Sequence, residues 1–192
     1  MQIQIHVAQA GHAVYAEAIC DLMAESAKAR GTGIATRKPT YVAAKMREGK
    51  AIVALVDGKL GGFSYIETWD HGRYVANSGL IVNPEFRRLG LARKIKGAIF
   101  NLSRELYPDA KIFGITTSLP VMKINSDLGY KPVTFSELTQ DDAFWAGCNS
   151  CPNVDILNRN DRRMCLCTAM MAPSANAVKK LAVDLSDMIV EG

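Results

Sequence analysis

The chain opens on alternation. Ile3, Ile5 and Val7 share one side of residues 2–8, the mark of a half-buried strand. The period then lengthens: Ala16, Ile19, Cys20, Met23 and Ala27 form one stripe of a helix over 12–30, which Gly31 and Gly33 end. A polar connection over 32–40 leads to a short helix over 41–48, closed by Gly49. Apolar runs at 51–56 and 60–68 flank Asp57-Gly58 and predict a tight hairpin. A longer loop over 69–73 enters a third strand over 74–82, which stops at Asn83-Pro84. Helical spacing returns with Leu91, Ile95, Ile99, Leu102 and Leu106 on one face, ending at Pro108. A strand over 111–118, a short helix over 121–128 and an extended stretch over 131–138 follow. The remainder reads as a short helix over 140–147, a polar loop, a strand over 163–171 and a tail helix capped by Ser174.

Composition narrows the class. At 192 residues, 48% hydrophobic and 22% charged, the chain is an ordinary globular one. Residues 1–192 are expected to form one domain able to bury a core without staples. No apolar run approaches the roughly 20 residues of a membrane span. The start, MQIQIHVAQ, lacks a basic stretch ahead of an apolar core. The expected location is therefore cytoplasmic, with the five cysteines mostly reduced. A net charge of +4 is too mild for a nucleic-acid binder. The basic residues that cluster are Arg87, Arg88, Arg93, Lys94 and Lys96, as either a solvated helix face or a seat for a polyphosphate. Gly31-Thr32-Gly33 is no dinucleotide loop, because no strand precedes it and no helix opens at once.

The stretch from Tyr74 to Tyr107 carries the chemistry. Its order is strand, basic glycine-containing turn, helix. The first turn of a helix offers unpaired N–H groups and the positive end of the macrodipole, and Gly90 and Ala92 are small enough for a phosphate to approach the backbone. An ordinary strand–turn–helix unit with a basic surface is the bland alternative. Arg87-x-x-Gly90-x-Ala92, behind Val82-x-Pro84, resembles the acyl-CoA signature (Q/R-x-x-G-x-G/A) of the GNAT acetyltransferase superfamily. Leu128-Gly129-Tyr130 sits where members commonly carry Leu-Gly-Phe. The resemblance covers about residues 2–140, with 141–192 as a C-terminal extension. It implies an α/β (α+β) fold: a mixed, mostly antiparallel central sheet flanked by helices, followed by the cysteine-containing extension and tail helix.

The resemblance also implies acetyl-CoA as cosubstrate. Its pyrophosphate would sit on the N–H groups of residues 88–93, so Arg87, Arg88, Leu89, Gly90, Leu91, Ala92 and Arg93 form the phosphate turn. The pantetheine arm would add like a strand along Leu80, Ile81 and Val82, where the sheet splays. An N–H near Val82 would face the thioester carbonyl as an oxyanion donor. The reaction would be direct attack by a neutral amine, giving an amide and free CoA, much of the rate coming from positioning. The acceptor is expected to be a small amine such as an amino acid. A protein lysine or N-terminal amine is the alternative, and a non-catalytic acyl-CoA-binding sensor the rival.

Acid and base are less clear in the sequence. Many members place a Glu near position 78, where this chain has Ser78 beside Asn77. Glu67 is the best remaining carboxylate and His71 the next; an exposed strand-end charge is the other reading of Glu67. Members often carry a Tyr, four residues before the glycine of Leu-Gly-Phe, that protonates the leaving thiolate. That count reaches Asn125, which donates a hydrogen bond but cannot deliver a proton; Tyr130 or water would substitute.

Two features lie outside the resemblance. Cys148, Cys151, Cys165 and Cys167 form Cys-x-x-Cys, a gap, then Cys-x-Cys, the last two on one face of the expected strand. They are open to three readings: a structural zinc site, small core thiols, or redox chemistry. The tail helix gathers Val178, Leu181, Ala182, Leu185, Met188 and Ile189 on one face, which either covers the chain's own sheet or forms a homodimer seam.

Overall fold

The computed structural model describes residues 1–30 and 36–190; for residues 30 and 183–190 the description stops at the backbone. The element order is β1 (Ile3–Val7), α1 (Ala16–Arg30), α2 (Pro39–Arg47), β2 (Ala51–Val56), β3 (Lys59–Trp69), β4 (Tyr74–Val82), α3 (Leu91–Leu106), β5 (Lys111–Thr116), α4 (Leu119–Asp127), β6 (Lys131–Val133), α5 (Asp142–Ala146), α6 (Val154–Arg159), β7 (Thr168–Ala172) and α7 (Ala175–Val190). The seven strands form one sheet in the order β1-β2-β3-β4-β5-β7-β6. Every neighbouring pair is antiparallel except β4 with β5. This is the mixed, mostly antiparallel α/β architecture expected.

Local chemistry explains most of the boundaries. Asp57 and Gly58 both adopt positive φ (47° and 78°), the pair of conformations a tight hairpin demands. The first helix starts later than its periodicity suggests: Ala10–Tyr15 winds as a 3-10 turn, with His12 Nδ1 accepting the Gln9 N–H at 3.0 Å. The glycines expected to end that helix, Gly31 and Gly33, lie outside the described residues. Ser174 caps α7, its Oγ accepting the Ala177 N–H at 3.1 Å.

The alternation along β2 divides the core between two faces. Ile52 and Ala54 pack with Ile66 and Val75 against Leu91, Ile95, Ile99 and Leu102 of α3. Val53, with Phe63, Tyr65 and Ile81, packs against Ile19, Met23, Val42 and Met46 of α1 and α2. A third cluster joins Phe113 of β5 to Phe135, Leu138, Trp145 and Leu157, seating the C-terminal extension on the far end of the sheet. Leu106, assigned by spacing to the buried stripe of α3, is instead 46% exposed at the helix end.

One irregularity shapes the site. Phe63 pairs with Ile81 but Tyr65 with Ser78, so Ser64 opposes both Gly79 and Leu80. This is a β-bulge, and Gly79 sits in it at φ 63°. A Cβ there would lie 2.4 Å from Tyr65 Cε1 and 2.8 Å from Met23 Cε, so only glycine fits. The bulge bends β4 away from β5. The two strands pair only at Tyr74–Lys111, Val75–Ile112 and Ala76–Phe113, and beyond Ala76 that edge of β4 is open to a cleft.

Three expectations for the later chain are corrected. The stretch expected to extend over 131–138 is a strand only at Lys131–Val133, then a 3-10 turn fixed by a Thr134–Glu137 capping box. The strand expected over 163–171 begins at Thr168, because Asp161 and Arg162 adopt positive φ and the chain bends through 167. Cys165 and Cys167 are therefore not on a strand face. In α7, Val178 and Leu181 are 40% and 61% exposed, so this part of the helix does not cover the sheet. The side chains of Leu185, Met188 and Ile189 lie outside the described residues. No helix among the described residues is long and apolar enough to cross a membrane.

Candidate active site

A cavity of about 450 Å³ opens where β4 and β5 part. Its walls come from the ends of β3 to β5, from α2, α3 and α4, and from the extension. Glu67, at the end of β3, lies on the α2 side and is buried rather than an exposed strand-end charge. Both carboxylate oxygens are engaged: Tyr41 Oη donates to Oε1 and Ser78 Oγ to Oε2, each at 2.6 Å. Arg37 stands 3.6 Å from Oε1 and donates from Nε to Tyr65 Oη at 2.6 Å. Burial alone would lower the Arg37 pKa, but Tyr65 and Glu67 beside it more than offset that and raise it. Burial, then the Glu67 carboxylate, pushes the Tyr41 hydroxyl well above the usual tyrosine range. Tyr41 thus stays protonated as a donor to Glu67, while burial likewise keeps Tyr65 protonated as it accepts from Arg37. The arrangement is a fixed carboxylate in a partly apolar cavity, served by two hydroxyls and a guanidinium.

Behind this, on the α3 face, lies a second buried network. Asn77 Nδ2 donates to Ser103 Oγ at 2.7 Å, Tyr130 Oη donates to Asn77 Oδ1 at 2.9 Å, and Ser103 Oγ donates to Ile99 O at 2.7 Å. Tyr130 cannot then stand in as an acid: its proton is committed to Asn77, and burial raises its pKa far above neutrality. Asn125 is 1% exposed; its Nδ2 meets Met170 Sδ at 3.6 Å and its Oδ1 has no partner among the described residues. His71, the second candidate base, sits exposed in the β3–β4 turn, away from the cavity lining.

The basic turn joins β4, whose Leu80 lines the cavity, to α3, whose Lys96 lines it. Asn83 pins its start, accepting the Glu85 N–H at 3.1 Å and donating to Leu60 O at 3.0 Å. Arg88 and Gly90 adopt φ 69° and 72°, and nothing lies within 4 Å of a Cβ built on Gly90. The first helical bond of α3 runs from Lys94 N–H to Gly90 O at 3.2 Å. The N–H groups of residues 88–93 find no acceptor among the described residues, so they remain available to an anion. Arg87 and Arg88 are exposed; Arg93 pairs with Asp127 of α4 at 2.6 Å and offers its backbone rather than its side chain. Leu89 is partly buried, Leu91 buried and Ala92 intermediate. Of Leu80, Ile81 and Val82, only Leu80 lines the cavity. Asn83 N–H bonds to Gly61 O at 2.9 Å; by the alternation of an antiparallel ladder, Val82 N–H points away from β3, toward the open edge.

Lys96 departs from its expected place. It belongs neither to a solvated face nor to the phosphate turn: it is 2% exposed and lines the cavity. It shares a helical row with Ala92 and Ser103, beside the apolar stripe, and that row is where the sequence held the signal. Arg37, Tyr41 and Tyr65 were also missed, since helix and strand meet there only through packing.

Cys148, Cys151, Cys165 and Cys167 all line the extension's side of the cavity. Among the described residues no three His, Cys, Asp or Glu side chains are placed to hold a metal ion, so the zinc expectation is corrected. Two of the thiols engage Asn153: Cys165 Sγ turns toward its carbonyl oxygen at 3.9 Å, and Cys151 Sγ accepts its N–H at 3.5 Å. Burial, with neighbouring thiols adding, pushes Cys148 up and Cys167 up to about 12, which keeps these two as neutral thiols.

Comparison with known proteins bears on the family and the fold. The model of the Acetyltransferase (GNAT) family matches residues 16–115. No curated protein matches the sequence. N-acetylglutamate synthase from Neisseria gonorrhoeae, complexed with coenzyme A and N-acetyl-glutamate, superposes with a TM-score of 0.64 at 15% identity, covering 91% of this chain and 35% of that one. This chain thus spans about a third of that synthase's length. Phosphinothricin acetyltransferase from Sinorhizobium meliloti, with acetyl-CoA, gives 0.61 at 15% identity, covering 91% and 89%. The ribosomal-protein alanine N-acetyltransferase from Escherichia coli gives 0.57 at 13%, covering 91% and 95%. At such identities these likenesses speak to fold alone.

Proposed function

The chain belongs to the acetyltransferase (GNAT) family of acetyl-CoA-dependent acyltransferases, and from that premise we propose that it acetylates the amine of a small, amino-acid-like acceptor. The observation that carries this reading is the Glu67 carboxylate, held by Tyr41 and Ser78 inside a cavity that is also lined from both elements flanking the basic turn, by Leu80 of β4 and Lys96 of α3. The cavity suits a small ligand. Arg37 retains donors beyond those it gives to Tyr65 and Thr36, and so offers an anchor for an acceptor carboxylate. Phe113, Phe135, Phe144 and Leu157 line the opposite wall and suit an apolar side chain.

The residues fit acetyl-CoA. The free N–H groups of 88–93, with Arg87 and Arg88, would take the phosphates. The open β4 edge and the unpartnered Asn125 Oδ1 suit the amide-bearing arm. When bound, the cosubstrate supplies an activated acetyl thioester. The acceptor attacks as the neutral amine, and Glu67 accepts the proton that it sheds as the C–N bond forms, directly or through water. Val82 N–H, pointing to the open edge, would donate to the thioester carbonyl oxygen as it gains charge.

A screen of amino acids and simple amines, read as thiol released from acetyl-CoA, tests the assignment. Apolar amino acids should be turned over, and their decarboxylated amines much more slowly. Stoichiometric CoA binding with no small amine accelerating thiol release would remove the small-acceptor reading.

A further inference from the structure

Lys96 is a buried cation without a counterion. It projects from α3 into the cavity that Ser78, Leu80, Thr116 and Asn125 also line. Among the described residues its ammonium makes no hydrogen bond and no ion pair; it stands over the Tyr130 ring, 5.1 Å from the centroid. Other charged side chains of α3 have partners of their own: Arg93 pairs with Asp127 of α4, and Arg104 stands over the Phe100 ring at 4.4 Å. Burial alone holds the Lys96 pKa down to about 7. An apolar residue would fill that space at less cost. An unpaired donor facing a cavity instead indicates a partner that arrives with the ligand.

The position of Lys96 indicates which part of the ligand. Lys96 stands six residues beyond Gly90, about 9 Å along the helix from the phosphate turn. Glu67 faces the cavity from the α2 side, whereas Lys96 projects from the α3 side. A thioester arm laid along the open β4 edge from the turn would enter the cavity that both side chains line. We propose that Lys96 is the catalytic acid that protonates the departing sulfur of the acyl thioester, an inference that rests on the acetyltransferase reading above.

The step balances. After the amine has added to the carbonyl carbon and Glu67 has taken its proton, the tetrahedral adduct collapses: the C–S bond breaks and its electron pair goes to sulfur. An N–H proton of the Lys96 ammonium moves to that sulfur, leaving a free thiol, an amide on the acceptor and a neutral lysine, which water reprotonates on product release. An ordinary cysteine-type thiol has a pKa of about 8.5, so an acid near 7 donates to its thiolate downhill. Two alternatives among the described residues do not serve. Asn125 has no transferable proton, and the Tyr130 hydroxyl is committed to Asn77.

The test compares wild type, Lys96→Met and Lys96→Arg, with melting curves to confirm folding. Calorimetry with CoA and with desulfo-CoA, which lacks the thiol, gives a readout independent of turnover. Wild type should favour CoA over desulfo-CoA by about fivefold or more, and Lys96→Met should lose the preference. Lys96→Met should lower kcat on the order of 10²-fold, with Lys96→Arg failing to rescue it because its proton is not released. In wild type, kcat/KM for acetyl-CoA should fall as pH rises past about 7, and Lys96→Met should lack that limb. Full rates in Lys96→Met or Lys96→Arg, or an acetyl group found on Lys96 by mass spectrometry, would overturn the assignment alone. A wild type that binds no CoA would overturn it together with the acetyltransferase reading.

Discussion

Ser78 Oγ donates to Glu67 Oε2 across 2.6 Å, a diagonal contact on the α2 face of the β3–β4 pair. Tyr41 closes on the other oxygen from α2. A carboxylate held at both oxygens keeps a fixed lone-pair direction toward the cavity, which is what a proton acceptor needs. Glu67→Gln is expected to lower kcat on the order of 10²-fold while leaving CoA affinity within about twofold. Steady-state kinetics beside CoA calorimetry check both halves. A matching loss of CoA affinity would make Glu67 part of the cofactor seat instead.

Gly79 makes a prediction about the fold that shapes the cleft. Its φ of 63° and the absent space toward Tyr65 and Met23 mean that Gly79→Ala must distort either the bulge or the α1 packing. The expected cost is about 2–3 kcal/mol, from a strained backbone plus overpacking. Urea unfolding measures it, and a change under about 0.5 kcal/mol would show that β4 relaxes without strain.

The parts of the site legible in the sequence are those made by backbone. Arg87-x-x-Gly90-x-Ala92 was readable because a turn with positive φ and a bare helix start need particular residues at particular spacings. Asp57-Gly58 was readable for the same reason. The side-chain constellation was only half readable. Glu67 emerged by elimination along β3, but Arg37 and Tyr41 reach it from a segment far away in sequence, and no local pattern encodes that contact. Lys96 was misread because its charge outweighed its row: Ala92, Lys96 and Ser103 face inward as a set. The cysteines misled for a related reason. Alternation over Cys165 and Cys167 looks like a strand, yet the left-handed turn at Asp161 and Arg162 delays pairing until Thr168.

Gly90→Asp probes the phosphate turn. The position is exposed and open, so a side chain adds strain through φ 72° but meets no neighbour. A carboxylate beside the free N–H groups of 88–93 competes for them and repels a polyphosphate. CoA affinity should weaken by tenfold or more, roughly 1.4 kcal/mol, with the melting temperature lowered by a few degrees at most. CoA affinity equal to wild type by calorimetry would place the phosphates elsewhere.

Lys96 also writes itself into stability against pH, independently of any reaction. Its pKa is about 7 in the folded chain against 10.5 for the ordinary side chain. Between those values the unfolded chain binds more protons than the folded one, so the stability of wild type rises with pH across that window. Below about pH 7 the ammonium is charged in both states, and its burial cost is carried in full. As pH rises toward 10.5 that cost is relieved, by roughly 1.4 kcal/mol per unit. Lys96→Met removes the titration and fills the same space. The variant should therefore be more stable than wild type at pH 6, by on the order of a few kcal/mol, with the gap narrowing steadily through pH 8 and 9.5. Urea midpoints of the two proteins at the three pH values decide it. Parallel profiles would mean that Lys96 finds a partner or water in solution and is not an isolated buried charge.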